Sequence, residues 1–525
     1  MKISLFSVSI FFFAATIVAV SSPENTPSSF AQVKTAQGIL AGVREGGVWS
    51  FKGIPYAQAP VGDLRWREPQ APKEWTGVRR ADRFGPRPMQ PTLWSDMIFR
   101  STTMSEDCLY LNIWPGTASP ADRQKVLVYF HGGGLVAGDG SEPRYDGTSM
   151  AKKGIVVVTI NYRLGIFGFF SHPELTGESP HHASGNYGFL DQNAALRWVR
   201  DNIAAFGGDP RHVTIGGQSA GASSTCAQMA SPLSRGLFVA AIGESGSTLG
   251  SNNLTLAEAD QAGVKFAEAV GADSLAALRR LTGEQLLEVS QKKQFARGVT
   301  IDGYFLPDSP LEIYFTGRQA DVPLLAGWNS AEVGYGDVLE KTPPTVENFQ
   351  RALIRLYGRK ADAMAKLYPA STPAEVAQAA TDLAGDRFCG YRTWKWIDTH
   401  AKSGGKPVYR YLFAQPPPPA KKTGNVDDHA AQPAPLGAPH SSELPYVFGN
   451  LDLITGTTWT DADRKTSAAM QDYFANFIKT GNPNGAGLPH WPWLQASIPK
   501  IMVIRAESAL EPEPNLKRYL LLDLP

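Results

Sequence analysis

Short runs of consecutive apolar residues recur along the chain and predict buried β-strands. They cover residues 126–130, 155–160, 213–215, 323–326 and 408–413. A run that is apolar at nearly every position, rather than at every second one, is typical of a strand covered on both faces of a parallel sheet. The runs are spread from residue 126 to residue 413. We therefore expect them to share one sheet rather than to build separate cores.

Between these runs, apolar residues recur at the spacing of amphipathic helices. The clearest pattern covers residues 190–205, where Leu190, Trp198 and Ile203 fall roughly on one face, and residues 256–300 and 345–385 give further helical patterns. Strands that alternate with helices indicate βαβ units. The expected fold class is therefore α/β, with a large, mostly parallel central sheet flanked by helices.

The N-terminus predicts a segment that is separate from this fold. Lys2 is followed by an apolar run to Val20 and by the small residues Ser21 and Ser22, the order found in a secretory signal peptide. The alternative is a membrane anchor, because about 18 apolar residues are just long enough to span a bilayer. We predict a signal peptide at residues 1–22 and a single α/β domain at residues 23–525. The mature protein would then be secreted or periplasmic and have no membrane span.

The composition excludes two classes of protein. The 525 residues are 43% hydrophobic, and 50 Lys and Arg balance 49 Asp and Glu to a net charge of +1. This apolar content is too high for a disordered chain, and a polybasic nucleic-acid binder would show a cationic excess. The three cysteines form no C-x-x-C pair, so we do not expect disulfides to hold the fold together.

The strongest chemical signal is the pentapeptide Gly-Gln-Ser-Ala-Gly at residues 217–221, which follows an apolar strand and precedes a small-residue stretch that can form a helix. This strand–turn–helix context is what a nucleophile elbow requires, because the sharp turn exposes the hydroxyl of Ser219. The flanking glycines allow the backbone to approach closely. The helix N-terminus behind Ser219 favours a developing anion.

A second signal is His-Gly-Gly-Gly at residues 131–134, directly after the strand at residues 126–130. Backbone N–H groups of such a loop can bind an oxyanion, and side chains there would block the approach of a carbonyl. The glycines and Ala137 also fit the dinucleotide-binding pattern G-x-G-x-x-A. We reject that interpretation, because no helix begins after the loop and no acidic residue ends the next strand.

A serine nucleophile needs a base, and the base needs an acid that orients it; in this architecture both follow the serine in the chain. The candidate bases are His440, His429, His400 and His490. The candidate acids are Glu332, Asp302 and Asp337. His440 is favoured because it lies in a polar turn after a strand. Glu332 is favoured because it stands just past the strand at residues 323–326, at the strand end where ligand sites of α/β folds lie.

These motifs resemble the type-B carboxylesterases, the cholinesterase-like branch of the α/β-hydrolases. The resemblance extends over nearly the whole mature chain. It is carried by residues 51–57 (FKGIPYA), 106–112 (EDCLYLN), 161–165 (NYRLG), 185–188 (GNYG) and 206–221, which ends in the pentapeptide. It implies an α/β-hydrolase fold with long loops and helical insertions over the active site.

The resemblance also implies the roles of individual residues. The implied triad is Ser219, Glu332 and His440. The implied oxyanion hole is formed by the N–H groups of Gly133, Gly134 and Ala220. Ser245 matches a serine that supports the triad by hydrogen bonding. We therefore expect a serine carboxylesterase that acts on a small ester through an acyl-enzyme, with no cofactor, no metal and no nucleic-acid partner.

Two further interpretations stay open, because a fold does not by itself fix a function. One is a non-catalytic ligand-binding or adhesion protein on the same fold. The other is a transacylase, or a lactone or amide hydrolase, that uses the same site.

The chain departs from the family pattern at two positions. Gln218 stands where the family usually has a glutamate, and Pro88 stands where a cysteine usually pairs with the counterpart of Cys108. We expect this disulfide to be absent and residues 89–107 to be more mobile for it. Trp94 in that segment either lines the entrance or packs as an ordinary aromatic residue. The proline-rich stretch at residues 416–435 is expected to be an exposed loop near the base.

Overall fold

The computed structural model describes residues 32–524, except residues 117–119, 251–252, 294, 296–297, 419–435 and 495–499. Eleven strands of this described part form one sheet. In chain order they are β1 (Val43–Glu45), β2 (Val48–Pro55), β3 (Tyr110–Trp114), β4 (Gln124–Phe130), β5 (Ile155–Ile160), β6 (Gly208–Gln218), β7 (Ala240–Glu244), β8 (Leu324–Asn329), β9 (Val408–Phe413), β10 (Lys500–Ile504) and β11 (Ala509–Pro512). The predicted signal peptide, and the predicted loop from residue 419 onward, lie outside the described residues.

The strands follow the order β11-β10-β9-β8-β7-β6-β4-β5-β3-β2-β1 across the sheet. Every neighbouring pair from β10 to β5 in this order is parallel. At the two edges the pairs are antiparallel: β11 with β10 on one side, and β5 with β3, β3 with β2 and β2 with β1 on the other. The expectation of a large, mostly parallel sheet is confirmed. Two small sheets accompany it, one formed by Gln32–Lys34, Ile39–Ala41 and Val78–Arg80 and the other by Leu254–Thr255 and Thr300–Ile301.

The five apolar runs correspond to β4, β5, β6, β8 and β9, whereas no apolar run predicted the other six strands of this sheet. In β3 the sequence Tyr-Leu-Asn-Ile-Trp places a polar residue at its centre. In β7 the sequence Ala-Ala-Ile-Gly-Glu consists mostly of small residues. Such segments give a weak apolar signal, and they form strands because the neighbouring strands already supply the hydrogen-bonding partners.

Helices cover the sheet and account for the predicted helical patterns. In chain order they are α1 (Thr148–Lys152), α2 (Gly165–Phe169), α3 (Pro173–Glu178), α4 (Tyr187–Asn202), α5 (Ala220–Ala230), α6 (Leu256–Ala269), α7 (Leu275–Arg280), α8 (Gly283–Lys292), α9 (Pro310–Phe315), α10 (Gly336–Leu339), α11 (Val346–Tyr357), α12 (Ala361–Leu367), α13 (Pro373–Gly385), α14 (Tyr391–Ser403), α15 (Leu444–Phe448), α16 (Asp461–Thr480) and α17 (Leu516–Leu522). The 190–205 pattern corresponds to α4 and the turn after it. None of the described helices combines the length and the apolar character that crossing a membrane requires.

The sheet separates two large apolar clusters, which explains why its central strands are apolar at nearly every position. In β4, Val126, Val128 and Phe130 belong to one cluster, whereas Leu127 and Tyr129 belong to the other. Successive side chains of a strand point to opposite faces, so a strand that is covered on both faces has no position left for a solvated residue.

The segment that precedes Cys108 is held without a disulfide. Cys108, like Cys226 and Cys389, is a free, buried cysteine. Polar contacts instead tie the segment to the body of the protein: Arg100 pairs with Asp146 at 2.7 Å, and Gln90 donates to the Gly138 carbonyl at 2.8 Å. Pro88 and Cys108 line the same small cavity.

Candidate active site

Ser219 occupies a sharp turn between β6 and α5. Its φ is 57° and its ψ is −120°, a left-handed conformation that costs a non-glycine residue about 1–3 kcal/mol and persists only where the surroundings enforce it. The Ser219 N–H donates to the Glu244 carbonyl at 2.7 Å, and the Ser219 carbonyl accepts the Ser223 N–H at 3.0 Å. The turn therefore fixes the serine at the C-terminal end of β6.

The glycines around this turn are required by packing. A Cβ at Gly217 would lie 2.4 Å from the backbone of Gly221, and a Cβ at Gly221 would lie 2.0 Å from the Phe130 carbonyl oxygen. A Cβ at Gly246 would lie 2.2 Å from the Ser219 carbonyl oxygen. Strand β4, the elbow and the turn after β7 thus meet with only backbone between them.

The glycine loop after β4 faces this elbow. Gly133 and Gly134 have φ values of 105° and 62°, which glycine adopts readily. The Gly133 carbonyl accepts the Val136 and Ala137 N–H groups at 3.0 and 2.9 Å, and this turn fixes the loop. Ala220 is the first residue of α5, and the first N–H groups of a helix have no partner within the helix.

Glu332 and His440 form a close pair. His440 Nδ1 lies 2.6 Å from Glu332 Oε2, and the second carboxylate oxygen of Glu332 accepts the Asn329 N–H at 2.7 Å. The His440 N–H donates to the Glu332 carbonyl at 3.0 Å, so the two loops are also joined through their backbones. A buried carboxylate at Nδ1 keeps the proton on that nitrogen and leaves Nε2 free to accept one.

The electrostatics of the pair favour an ionised acid and a basic imidazole. Burial alone would raise the pKa of Glu332, but the charge and the hydrogen bond of His440, with the Asn329 N–H, hold this pKa below its ordinary value. Burial alone would lower the pKa of His440, but the charge of Glu332, its hydrogen bond and the charge of Glu443 raise this pKa above its ordinary value.

The other ring nitrogen of His440 faces the elbow. His440 Nε2 lies 3.2 Å from the side-chain nitrogen of Gln218, the residue before the serine. In the described part of the chain, no hydrogen bond joins the Ser219 hydroxyl to His440. Catalytic hydrogen bonds are often loose before substrate binds, and the amide N–H of Gln218 occupies the lone pair that a serine proton would need.

Ser245 stands at the end of β7, beside Glu332. Its φ is 55°, like that of Ser219. Its buried hydroxyl makes no hydrogen bond of standard geometry within the described residues, yet it is close enough to contribute the smallest of the effects that lower the pKa of Glu332. The contact between Ser245 and Glu332 is therefore weak.

The alternative acids and bases lie elsewhere in the described structure. Asp302 accepts the Leu306 N–H at 2.9 Å and an amide hydrogen of Asn186 at 2.9 Å, and so shapes its own turn. His400 is buried against the Val322 carbonyl at 2.9 Å. Asp337 belongs to the first turn of α10, and His490 is exposed. His429 lies outside the described residues.

Sequence reasoning missed the residues that a π-helical turn contributes. This turn, Asp386–Gly390, joins α13 to α14, and such turns are frequent at functional sites. The ring of Phe388 meets the ring of His440 edge-on, with centroids 4.9 Å apart. Burial and the negative charge of the neighbouring Glu332 raise the pKa of Cys389. No local pattern marks a π turn, so only the fold reveals these neighbours.

Among the described residues, one group of side chains could hold a metal ion: Glu332, Cys389 and His440. Their donor atoms lie within 4.8 Å of one another, and carboxylate, thiolate and imidazole are ligands that zinc accepts. A metal ion there would have to replace the 2.6 Å contact between Glu332 and His440. The arrangement therefore fits proton transfer through that contact better than metal binding.

A second buried carboxyl group lies under the pair. Glu443 accepts an amide hydrogen of Asn329 at 2.5 Å. Burial and the negative charge of Glu332 raise the pKa of Glu443 to about 7. Glu244 is buried nearby with Tyr129 donating to it at 2.8 Å, and burial and the charge of Glu443 raise its pKa as well. The site therefore contains carboxyl groups of two kinds, one ionised beside the imidazole and others that hold protons readily.

Ser219 opens into a cavity of about 380 Å³, within the roughly 300–1,000 Å³ of small-ligand pockets. Gly134, Ala220, Ser245, Phe388 and Cys389 are among its lining residues. The ring of Trp94 is near its rim, because a Cβ at Gly134 would lie 3.7 Å from it. Trp94 is 44% exposed, and its role at the entrance stays a prediction.

Comparison with known proteins gives one consistent answer. The model of the carboxylesterase family matches residues 29–520. The para-nitrobenzyl esterase of Bacillus subtilis (strain 168) is 35% identical over 511 residues, covering 93% of this chain and 97% of its own. The fumonisin B1 esterase of Sphingopyxis macrogoltabida is 35% identical over 501 residues, covering 92% and 87%.

Solved structures agree with this result. A carboxylesterase of Geobacillus stearothermophilus superposes with a TM-score of 0.78 at 33% identity, covering 93% of this chain and 99% of its own. A structure of a para-nitrobenzyl esterase gives a TM-score of 0.75 at 34% identity, with coverages of 94% and 99%. The expected α/β-hydrolase fold is thereby confirmed.

Proposed function

Because this chain belongs to the carboxylesterase family and is a carboxylic ester hydrolase, we propose that it works through Ser219, His440 and Glu332 by way of an acyl-enzyme. The observation that carries the proposal is the position of His440. One of its nitrogens lies 2.6 Å from the buried Glu332 carboxylate, and the other faces the elbow residue Gln218. An imidazole held between an acid and an exposed serine is the arrangement that serine acyl transfer needs.

In the first step, the Ser219 oxygen attacks the ester carbonyl and its proton passes to His440 Nε2. The N–H groups of Gly133, Gly134 and Ala220 bind the oxyanion of the tetrahedral intermediate, and losing one such donor typically costs roughly 10²–10³ in rate. His440 then gives its proton to the leaving alcohol, and the acyl group stays on Ser219.

In the second step, water attacks the acyl-enzyme and gives a proton to His440. The intermediate collapses, the carboxylic acid leaves, and the proton returns to the Ser219 oxygen. Glu332 stays ionised throughout and stabilises the imidazolium. Gln218 must release Nε2 before either proton transfer, so its contact with His440 belongs to the resting enzyme. Ser245 supports the orientation of Glu332 in this scheme.

The direct test is Ser219→Ala with p-nitrophenyl butyrate as substrate. We expect turnover to fall to the background rate, whereas the surface variant Ser371→Ala should match the wild type. Undiminished turnover by Ser219→Ala would refute the assignment. Adding an alcohol and analysing the products separates a hydrolase from a transacylase, because a transacylase would form the new ester.

The proposal also includes the organisation of the chain. A signal peptide at residues 1–22, one catalytic domain at residues 23–525 and export from the cytoplasm remain predictions. Sequencing the N-terminus of the secreted mature protein would test them.

A further inference from the structure

One arginine that lines the cavity beside Ser219 has no anionic partner among the residues that the structure describes. Arg392, the second residue of α14, lines this cavity and is half-buried. Among the described residues that line the cavity it is the single charged side chain. It makes no ion pair or hydrogen bond with any other residue that the structure describes.

The fully buried arginines of the described structure pair with carboxylates. Arg65 pairs with Glu106 at 2.5 Å, Arg163 with Asp191 at 2.7 Å and Arg410 with Glu513 at 3.0 Å. Charges removed from water are normally paired in this way, because an unpaired charge is costly to desolvate. Arg392 is less buried than these arginines, and within the described residues it has no such partner at the wall of the cavity.

The position of Arg392 places its charge near the reacting groups. Its positive charge opposes the rise in the pKa of the Cys389 thiol, whose sulfur lies within 4.8 Å of donor atoms of Glu332 and His440. A Cβ at Gly250 would lie 3.7 Å from the Arg392 stem, so that side of the stem has a fixed neighbour. Phe388 and Cys389 line the same cavity as Arg392.

We infer that Arg392 selects esters that carry a carboxylate, and this inference rests on the proposed function. A guanidinium binds a carboxylate through two parallel hydrogen bonds, and a substrate that supplies one completes the missing pair. The lining also contains polar side chains, such as those of Ser247 and Thr248. It contains the apolar side chains of Leu135 and Val299 as well, which suit the carbon chain of the substrate. The inferred substrate class is therefore the half-ester of a dicarboxylic acid, or an ester of a hydroxy acid.

The test compares neutral and anionic esters of equal length. On the acyl side, the pair is p-nitrophenyl hexanoate and mono-p-nitrophenyl adipate. On the alcohol side, the pair is methyl 4-(butyryloxy)benzoate and 4-(butyryloxy)benzoate. The kcat/KM of each ester is measured for the wild type, Arg392→Met, Arg392→Lys and the control Arg387→Met, an exposed arginine one helical turn earlier that removes the same charge.

We expect Arg392→Met to lower kcat/KM for the anionic ester of at least one pair by roughly 10- to 100-fold. The neutral ester should change less than threefold, which also shows that the variant is folded. Arg392→Lys should lose part of the preference, because lysine cannot bind a carboxylate through a planar fork. Added salt should weaken the preference of the wild type, because it screens the charges. Arg387→Met should keep the full preference.

The inference is overturned if Arg392→Met changes both members of each pair equally, or if Arg387→Met has the same effect as Arg392→Met. Failure of the proposed function looks different. In that case the wild type would hydrolyse neither neutral ester faster than Ser219→Ala does.

Discussion

Replacing Glu332 by Gln tests how the acid acts on the base. The Asn329 N–H donates to one carboxylate oxygen of Glu332 at 2.7 Å, and that donor is part of the backbone. A glutamine must turn its single oxygen toward this N–H, because its amide nitrogen would set two donors against each other. The amide N–H then points at His440 Nδ1. We expect His440 to accept a hydrogen bond there and to carry its proton on Nε2, where it cannot take the serine proton.

The expected loss is large because the wrong tautomer disables the base. In serine hydrolases this tautomer lowers kcat by about 10⁴, which corresponds to about 5 kcal/mol of transition-state stabilisation. The substitution changes the contact between His440 Nδ1 and Glu332 Oε2. This contact measures 2.6 Å and involves a buried carboxylate, so water cannot replace it. The assay is kcat for p-nitrophenyl butyrate with saturating ester, with thermal unfolding measured on the same sample.

Glu507→Gln is the matched control, because its side chain is 84% exposed and pairs with Lys465 on the surface. It should leave kcat and the unfolding temperature unchanged. A Glu332→Gln enzyme that unfolds like the wild type and keeps more than a tenth of its kcat would refute the reasoning. Orientation of His440 would then have to come from its backbone contacts alone.

Three further predictions concern pH and packing. The pKa of His440 is raised above 6.5, and only the neutral imidazole accepts a proton. The kcat/KM should therefore rise with pH about a midpoint above 6.5, and a midpoint below 6.5 would contradict this prediction. The charge of Glu443 helps to raise that pKa, so Glu443→Gln should move the midpoint to lower pH, and an unmoved midpoint would mean that Glu443 is protonated throughout. Gly246→Ala should abolish activity and lower the free energy of unfolding by about 1–3 kcal/mol, because its Cβ would lie 2.2 Å from the Ser219 carbonyl oxygen. Gly177→Ala in α3, whose Cβ would meet nothing within 4 Å, is the control and should stay active.

Local patterns were sufficient for the parts of the site that belong to one segment of the chain. The elbow at residues 217–221 and the glycine loop at residues 131–134 each follow a strand whose apolar run is visible in the sequence. Their glycines are needed because backbone approaches backbone there, as the 2.0 Å that a Cβ at Gly221 would leave to Phe130 illustrates. The glycines that satisfy this constraint stand close together within each loop, so they leave a motif even though the backbone they approach is distant in the chain.

No local motif of this kind selected Glu332 as the acid and His440 as the base. Physical reasoning on the sequence ranked His440 and Glu332 first but kept His429, Asp302 and others open, and the family resemblance narrowed them. The structure shows why pattern alone was insufficient: Asp302 is buried like Glu332, but its oxygens accept from the Leu306 N–H and from Asn186 rather than from a histidine. Residue type is visible in the sequence, whereas the burial and the partner of a carboxylate depend on the fold.

By itself, the sequence determined that this chain forms an α/β sheet with a serine elbow and a facing glycine loop, because strand periodicity and steric demands are written into consecutive residues. Only the tertiary structure decided what surrounds that serine. Phe388, Cys389 and Arg392 come from a π turn and the helix after it, more than 160 positions along the chain from Ser219. Glu443 lies beneath Glu332 because parallel strands bring distant loops to one edge of the sheet. Contacts between distant segments depend on the packing of whole elements, so no local pattern in the sequence records them.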